Sequence, residues 1–130
     1  MTPGSAMIEL EARTGRLQLQ LTAIRMGRDL SVTLSGGDRP HIGAVALSQA
    51  RPSLKGDGTR SATTSVLALL GHKEDDVAKA LAARLAASLD ASVCVACGIH
   101  LDGMLPEELA QVPGLIEALT QDLIRKFTAS

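Results

Sequence analysis

Ser35-Gly36-Gly37-Asp38-Arg39-Pro40-His41-Ile42-Gly43-Ala44-Val45 is the densest turn signal in the sequence, and it lies between two strand-like runs. Gly36-Gly37 permits backbone angles that other residues avoid. We therefore predict a hairpin in which a third strand, Asp29–Ser35, turns back into a fourth, His41–Ser48, through a loop longer than two residues. His41 would then stand beside exposed backbone N–H groups, where an anion or a ring-shaped ligand could bind. A turn that only reverses the chain is the alternative.

Composition limits the class of protein. The chain has 130 residues, enough for one domain with its own core, and 45% of them are hydrophobic. One Phe and no Tyr or Trp provide no stacking platform for single-stranded nucleic acid, and a net charge of -1 provides no basic field for nucleic acid or anionic lipid. No apolar run reaches the roughly 20 residues that span a bilayer. Met1–Ala6 lacks the features of a signal peptide and is expected to be a disordered tail. We expect a soluble cytoplasmic protein that binds neither nucleic acid nor membrane.

Further strands are predicted from the pattern of apolar residues. Alternation with period two indicates strands at Met7–Ala12 and Leu17–Met26, and the β-branched residues Thr63, Thr64 and Val66 favour a strand at Ser61–Leu70. The continuously apolar run Ala91–Gly98 indicates a sixth strand at the centre of the sheet. Cys94 and Cys97 lie in that run, where residues three apart point to opposite faces, so we interpret them as buried structural cysteines rather than a redox pair.

Two helices are predicted from apolar stripes at helical spacing. The first begins at Glu74-Asp75-Asp76, whose acids suit the positive end of the helix dipole, and ends at Asp90. It joins the fifth strand to the sixth as a β-α-β unit, which favours a right-handed crossover between parallel strands. The last helix is expected to start at Pro113, after a separate short turn at Pro106-Glu107-Glu108. The predicted fold class is α+β: a single mostly antiparallel sheet of about six strands with two main helices, in one domain over residues 1–130.

The three histidines, His41, His72 and His100, each lie at a predicted strand end. The pairings above bring all three to one edge of the sheet, which we call the rim, together with the two glycine turns, Lys73 and Asp102. Gly71-His72-Lys73 precedes a helix, where unpaired N–H groups attract phosphate. A metal ion held by the three histidines with Asp102 or Glu74 is the other reading. The loop from Arg51 to Arg60 carries three basic residues and could fold over an anion, or could be a solvated connection.

Three segments of the rim carry a resemblance to a known family. Ser35–Val45, Gly71-His72-Lys73-Glu74-Asp75 and Gly98-Ile99-His100-Leu101-Asp102 resemble the LpdD-like proteins, and the similarity extends over Ile8 to Arg125. This family is associated with UbiD-type decarboxylases and is understood as a chaperone that binds prenylated FMN and assists its delivery to the apo-decarboxylase. The resemblance implies an LpdD-like domain over residues 7–127 with a fold similar to proteasome assembly chaperone 4.

The resemblance also implies a set of site residues for prenylated FMN. The matching positions are Gly36, Gly37, His41, Gly43, Gly71, His72, Lys73, His100 and Asp102. Our hypothesis is that Gly71–Lys73 and basic loop residues such as Arg60 hold the phosphate, while Gly36–Gly43 and His100 line the isoalloxazine ring. Aliphatic and backbone contacts must replace aromatic stacking on the ring.

On this reading the chain is a cofactor chaperone with no catalytic residue and no metal ligand. Its partners would be a UbiD-type decarboxylase and a flavin prenyltransferase, and a homodimer is expected. Two other classes stay open. One is a small metal-dependent hydrolase or lyase that uses His41, His72 and His100, and the other is a scaffolding protein that binds its partner through a sheet edge.

Overall fold

The computed structural model describes residues 6–69 and 74–129 as one six-stranded sheet with two helices. The strands lie in the order β1-β2-β3-β6-β4-β5. The β3–β6 pair is parallel and the other four pairs are antiparallel. The predicted fold class is therefore confirmed. In chain order the elements are β1 (Met7–Thr14), β2 (Leu17–Met26), β3 (Asp29–Gly37), β4 (Ala44–Pro52), β5 (Arg60–Ala68), α1 (Asp75–Leu89), β6 (Ser92–His100) and α2 (Pro106–Ala129).

Both helices pack on the same face of the sheet, because alternate strand residues are apolar on that face. In β2, Leu17, Leu19 and Leu21 are fully buried, whereas the intervening Gln18 and Gln20 are not. α1 lies against β4, β5 and β6, and α2 lies against β1 and β2. The core is aliphatic, as the composition indicates.

The predicted hairpin between the third and fourth strands is wrong, because β6 lies between β3 and β4. β6 buries Val93, Val95 and Cys97, and it pairs with a neighbouring strand on each side. The Ser35–Val45 stretch still reverses the chain direction, but it does so by crossing over the end of β6 rather than by joining adjacent strands. The carbonyl of His100 accepts hydrogen bonds from the backbone N–H groups of Asp38 and Arg39 at 2.9 and 3.3 Å.

The predicted β-α-β unit is present, but β4 lies between its two strands in the sheet. β5 and β6 are both antiparallel to β4, which lies between them, so the two strands joined by α1 run in the same direction. β6 has a neighbouring strand on both sides, as its unbroken apolar sequence predicts. α1 ends where predicted, and Asp90 adopts a left-handed conformation (φ 52°) as its C-cap.

The predicted break before the last helix is wrong. α2 is one continuous helix of 24 residues, and Pro113 lies inside it. Proline removes the hydrogen bond to the carbonyl four residues earlier, which belongs to Leu109. Leu109 is 62% exposed, so water can satisfy that carbonyl and the helix continues. Within the described chain no helix has the length and apolar character needed to cross a membrane.

The two cysteines occupy opposite faces of β6, as predicted. Cys97 is buried under the helices and Cys94 is half-buried on the other face, and neither forms a disulfide. Burial raises the pKa of the Cys97 thiol to about 12, with the negative charge of Glu74 adding to the shift. Cys97 is therefore a protonated core residue, unlike an activated redox thiol.

Candidate functional site at the rim of the sheet

The rim is the edge at which β3, β6 and β5 end and β4 begins. The register places Gly37 beside His100 and Ala44 beside both Cys97 and Ala68. His41, Gly43 and Asp102 lie in the loops that continue from these strand ends. Six of the proposed flavin-binding positions thus share one edge: Gly36, Gly37, His41, Gly43, His100 and Asp102. Gly71, His72 and Lys73 lie outside the described residues.

Arg60 does not share this edge. It is the first residue of β5, paired with Pro52, at the end of the strand away from the rim. Its guanidinium donates hydrogen bonds to the carbonyls of Ala87 and Ser88 at the C-terminal end of α1. Arg60 therefore lies roughly 25 Å from the rim end of β5, at about 3.3 Å per residue along the strand.

His41 and Glu74 fix the loop that crosses the end of β6. His41 Nδ1 lies 2.9 Å from the carbonyl oxygen of Arg39, and Nε2 lies 3.1 Å from Glu74 Oε1. The same carboxylate oxygen accepts a hydrogen bond from the backbone N–H of Ile99 at 3.4 Å. Glu74 occupies the N-cap position of α1 but makes no capping hydrogen bond with its side chain. It links the loop, β6 and α1 instead.

The rim glycines allow close approach of protein backbone. A Cβ at Gly98 would lie 1.7 Å from the carbonyl oxygen of His41, and one at Gly37 would lie 1.9 Å from that of His100. A Cβ at Gly43 would lie 2.3 Å from Glu74 Oε2. Their conformational freedom is therefore used to pack the loop on β6, which accounts for the glycine-rich sequence without a ligand.

The solvent-facing part of the rim is a charged cluster of Asp38, Arg39, His100 and Asp102. Asp102 Oδ1 lies 2.9 Å from His100 Nε2, and Asp102 Oδ2 lies 3.2 Å from the Arg39 guanidinium. The carboxylate of Asp38 accepts the backbone N–H of Asp102. The hydrogen bond from His100 and, after it, the charge of Arg39 hold the pKa of Asp102 below its usual range. The cluster presents both hydrogen-bond donors and acceptors to solvent.

Part of this cluster has the composition of a cation site. The ligand atoms of Asp38, His100 and Asp102 lie within 4.8 Å of one another. Among the described residues, His41 is not part of such a group, because its ring is engaged with Arg39 and Glu74. His72 lies outside the described residues, so the three-histidine site stays a prediction.

The sequence reading missed Arg16, which anchors the rim from the β1–β2 turn. Its guanidinium donates to both carboxylate oxygens of Glu108 at 2.7 and 2.9 Å and to the carbonyls of Asp102 and Gly103 at 3.0 and 3.1 Å. The hydrogen bond to Glu108 raises the pKa of Arg16, and the same bond lowers that of Glu108. Position 16 lies 86 residues before Asp102, and the local sequence carries no signal of this contact.

A groove of about 320 Å³ between α1 and α2 begins close to the rim. Its floor is aliphatic, with Val77, Leu81, Val112 and Ile116 among the lining residues. Val77 follows Glu74 by three residues, which is about 5 Å along a helix axis. An apolar surface the size of a small-molecule site therefore begins near Glu74, the residue that contacts His41 in the rim loop.

These features define a class: a small α+β domain with its helices on one face of a single sheet and its charged groups gathered at one edge. A family model described as "Prenylated flavin chaperone LpdD-like domain" matches residues 13–128. The chain therefore belongs to the LpdD-like prenylated flavin chaperone family, as the motifs indicated.

Comparison of structures supports the same fold. A chain of a crystal structure entitled "Crystal Structure of a Novel Chaperone Complex for Yeast 20S Proteasome Assembly" is similar with a TM-score of 0.59 and 12% sequence identity. The similarity covers 95% of this chain and 99% of that one. At this identity the likeness concerns the fold alone, and it agrees with the expected resemblance to a proteasome assembly chaperone. No curated protein matches the sequence.

Proposed function

We propose that this protein binds prenylated FMN at the rim and carries it to a UbiD-type decarboxylase without catalysing a reaction itself. The observation that carries the proposal is the family match over residues 13–128. The rim supports it, because the segments that carry the resemblance meet there. Prenylated FMN would be cargo, and its chemistry would take place on the decarboxylase.

The composition of the rim suits the polar edge of a flavin. An isoalloxazine ring offers an N–H donor and several N and O acceptors, and the rim offers carboxylates on Asp38 and Asp102 with N–H donors on Arg39 and His100. All four side chains are exposed. The rim glycines would act by shaping the loop, because a Cβ added at Gly36, Gly37 or Gly43 would overlap other protein atoms.

We assign the apolar side of the ring to the aliphatic groove beside the rim. The chain has no Tyr or Trp, so no aromatic stacking by these residues is available. Val77, Leu81 and Ile116 provide an apolar surface that a flat ring can cover. Lys73, in the segment immediately before α1, is the cation that we assign to the phosphate, next to the positive end of the helix dipole.

The first experiment is purification under anaerobic conditions from cells that also express a flavin prenyltransferase. We expect the protein to carry a prenylated flavin, identified by its absorbance spectrum and by mass. Lys73→Ala should lose at least ten-fold in occupancy, whereas Lys79→Ala, which removes an exposed lysine on α1, should not. A colourless protein that also fails to take up added reduced prenylated FMN would overturn the proposal.

Delivery is tested separately with an apo-decarboxylase. The loaded protein should restore decarboxylase activity faster than the same concentration of free cofactor. Equal rates would limit the role to storage of the cofactor and would contradict delivery.

The group of Asp38, His100 and Asp102 supports one alternative, a divalent cation site. Equilibrium dialysis against Mn²⁺ or Zn²⁺, with Asp38→Asn as the comparison, separates the two proposals. Stoichiometric metal lost in Asp38→Asn, together with no flavin uptake, would favour a metal-dependent hydrolase or lyase.

A further inference from the structure

The two edges of the sheet, β1 and β5, differ in how they are protected from pairing with another chain. β1 carries the charged residues Glu9, Glu11 and Arg13. From Ser61 to Ala68, β5 has no charged side chain and no proline. Natural proteins use charges, prolines or bulges to keep an edge strand from accepting a further strand. β5 is therefore the edge that is open to strand addition.

Every second residue of β5 points its backbone N–H and C=O groups away from the sheet. At one end of the β4–β5 pair, the N–H of Leu69 donates to the carbonyl of Gly43 at 2.9 Å. At the other end, the N–H of Ser53 donates to the carbonyl of Thr59 at 2.8 Å. The odd-numbered residues of β5 therefore bond to β4, and the even-numbered ones face outward. Within the described chain, no hydrogen bond is made by the outward backbone groups of Ala62, Thr64 and Val66.

We propose that β5 pairs with β5 of a second copy of this chain, so that the two sheets join edge to edge. The strand itself supplies the register. An antiparallel pair with its two-fold axis at Thr64, the middle residue of β5, places Ala62 opposite Val66 of the second copy and Thr64 opposite its own copy. These central pairs exchange about six backbone hydrogen bonds, so the outward groups of both edges find partners.

The side chains of β5 suit this register. Arg60 lies opposite Ala68 of the second copy, so no charge faces a like charge. Thr63 lies opposite Ser65, and β-branched residues such as Val66 are favoured in strands. The two-fold axis is perpendicular to the sheet, and both helix layers therefore stay on the same side.

The helices leave room for this pairing. α1 packs on β6, β4 and β5, so it is centred on β4, the middle strand of the three. Its axis then lies one and a half strand spacings from the two-fold axis, which is about 7 Å at about 4.8 Å per strand. The two copies of α1 would be about 14 Å apart, more than the helix diameter of about 10 to 12 Å.

Other pairings between copies are less favourable. A two-fold pairing about the middle of β1, at Leu10 or Glu11, places glutamates opposite each other. Pairing of β5 with β1 of another copy leaves a free β1 and a free β5 at the two ends, so it continues into a filament. Only the β5–β5 pair both avoids like charges and closes after two chains.

The test is the mass of the flavin-free protein, measured by light scattering on a size-exclusion column. One edge strand buries less than the about 800 Å² per partner of a standard interface, so we expect a dissociation constant in the micromolar range. The mass should rise from one chain of 13.5 kDa to two chains as the protein is concentrated through that range.

Ala62→Pro removes an outward N–H that β4 does not use, a position at which an edge strand tolerates proline. This variant should have the mass of one chain at every concentration. Glu11→Pro is the matched control on the other edge. The N–H of Arg25 donates to the carbonyl of Ala6, so the odd-numbered residues of β1 also face outward. Glu11→Pro should dimerise like the wild type, and circular dichroism checks that both variants fold.

Hydrogen exchange of the wild type needs no variant. The amides of Thr64 and Val66 should exchange rapidly in dilute protein and at least ten-fold more slowly once the protein dimerises. The same two amides exchanging at a rate independent of concentration would overturn the proposal. A monomeric wild type or a dimeric Ala62→Pro variant would do so as well.

Two further outcomes would assign the edge to another occupant and so contradict a β5–β5 dimer. A mass that keeps rising beyond two chains would indicate pairing of β5 with β1. A monomer whose Thr64 amide is protected only after addition of the apo-decarboxylase would assign the edge to that partner. The mass and exchange measurements use no flavin, so this inference and the proposed function can fail separately.

Discussion

His41 Nε2 lies 3.1 Å from Glu74 Oε1, which joins the loop over the end of β6 to the first turn of α1. The side chains are 23% and 12% exposed, so the interaction is largely shielded from water. Two of the segments that carry the family resemblance meet in this contact. The pair therefore ties together the parts of the rim that come from distant positions in the sequence.

We expect His41→Ala to lower the free energy of unfolding by about 1 to 3 kcal/mol, because it takes a hydrogen-bond donor away from a mostly buried carboxylate. Urea unfolding of the flavin-free protein measures this. His100→Ala is the comparison, since the His100 side chain is 46% exposed and its loss should cost less. In a double-mutant cycle with Glu74→Gln, the coupling should exceed about 0.5 kcal/mol. Additive effects of the two substitutions would show that the contact does not stabilise the fold.

The second prediction concerns the close approach of the loop to β6. Gly98→Ala should destabilise the protein by about 1 to 3 kcal/mol or more, because the new methyl would overlap the carbonyl of His41. Gly114→Ala in α2 is the matched control, since nothing lies within 4 Å of its Cβ position. It should raise stability by about 0.5 to 1 kcal/mol through helix propensity. Thermal melts of the two variants measure both effects, and equal melting temperatures would contradict the packing account.

Alternation and composition were sufficient to predict the strands, the first helix and the fold class. The order of the strands was only partly accessible. Asp29–Ser35 and His41–Ser48 are neighbours in sequence with a glycine-rich connection, and local reasoning favours a hairpin for such a pattern. The order is decided instead by the burial of Val93 and Val95 in β6. This burial depends on contacts between residues that are far apart in the sequence, so a short stretch of sequence does not reveal it. The same limit explains the omission of Arg16, whose partners lie near the other end of the chain.

The meeting of His41 and His100 at one edge of the sheet was predicted in spite of the wrong strand pairing. The direction of β5 and β6 relative to β4 decides which end His41 and His100 occupy, and this direction survives the insertion of β6 between β3 and β4. Pro113 shows the opposite case. Its effect on a helix is local and well understood, but α2 continues through it, and Leu109, four residues earlier, is exposed to water.

The third prediction uses the shifted pKa of Cys97. The folded protein keeps this thiol protonated up to about pH 12, whereas an ordinary cysteine ionises near 9.0. The unfolded chain therefore releases a proton that the folded chain retains, and stability should fall as the pH rises above 9, by about 1.4 kcal/mol per pH unit. Cys97→Ala should lose less stability than the wild type between pH 9 and 10.5, relative to its own value at pH 8. Cys94→Ala is the control and should follow the wild type. Identical pH profiles for all three proteins would contradict the prediction.

The last prediction concerns the charged cluster at the rim. Its carboxylate Asp102 has a lowered pKa, for which the hydrogen bond to His100 is the main cause and Arg39 a smaller one. A group with a lowered pKa in the folded state stabilises the fold above its unfolded pKa, and this contribution is lost as the pH falls through the folded value. In a carbon-13 NMR titration, the Asp102 carboxyl should therefore titrate at a higher pH in His100→Gln than in the wild type. Arg39→Gln should move the midpoint in the same direction by less. If His100→Gln leaves the midpoint unchanged, the hydrogen bond from His100 does not set the charge of this cluster, and Arg39 becomes the group that does.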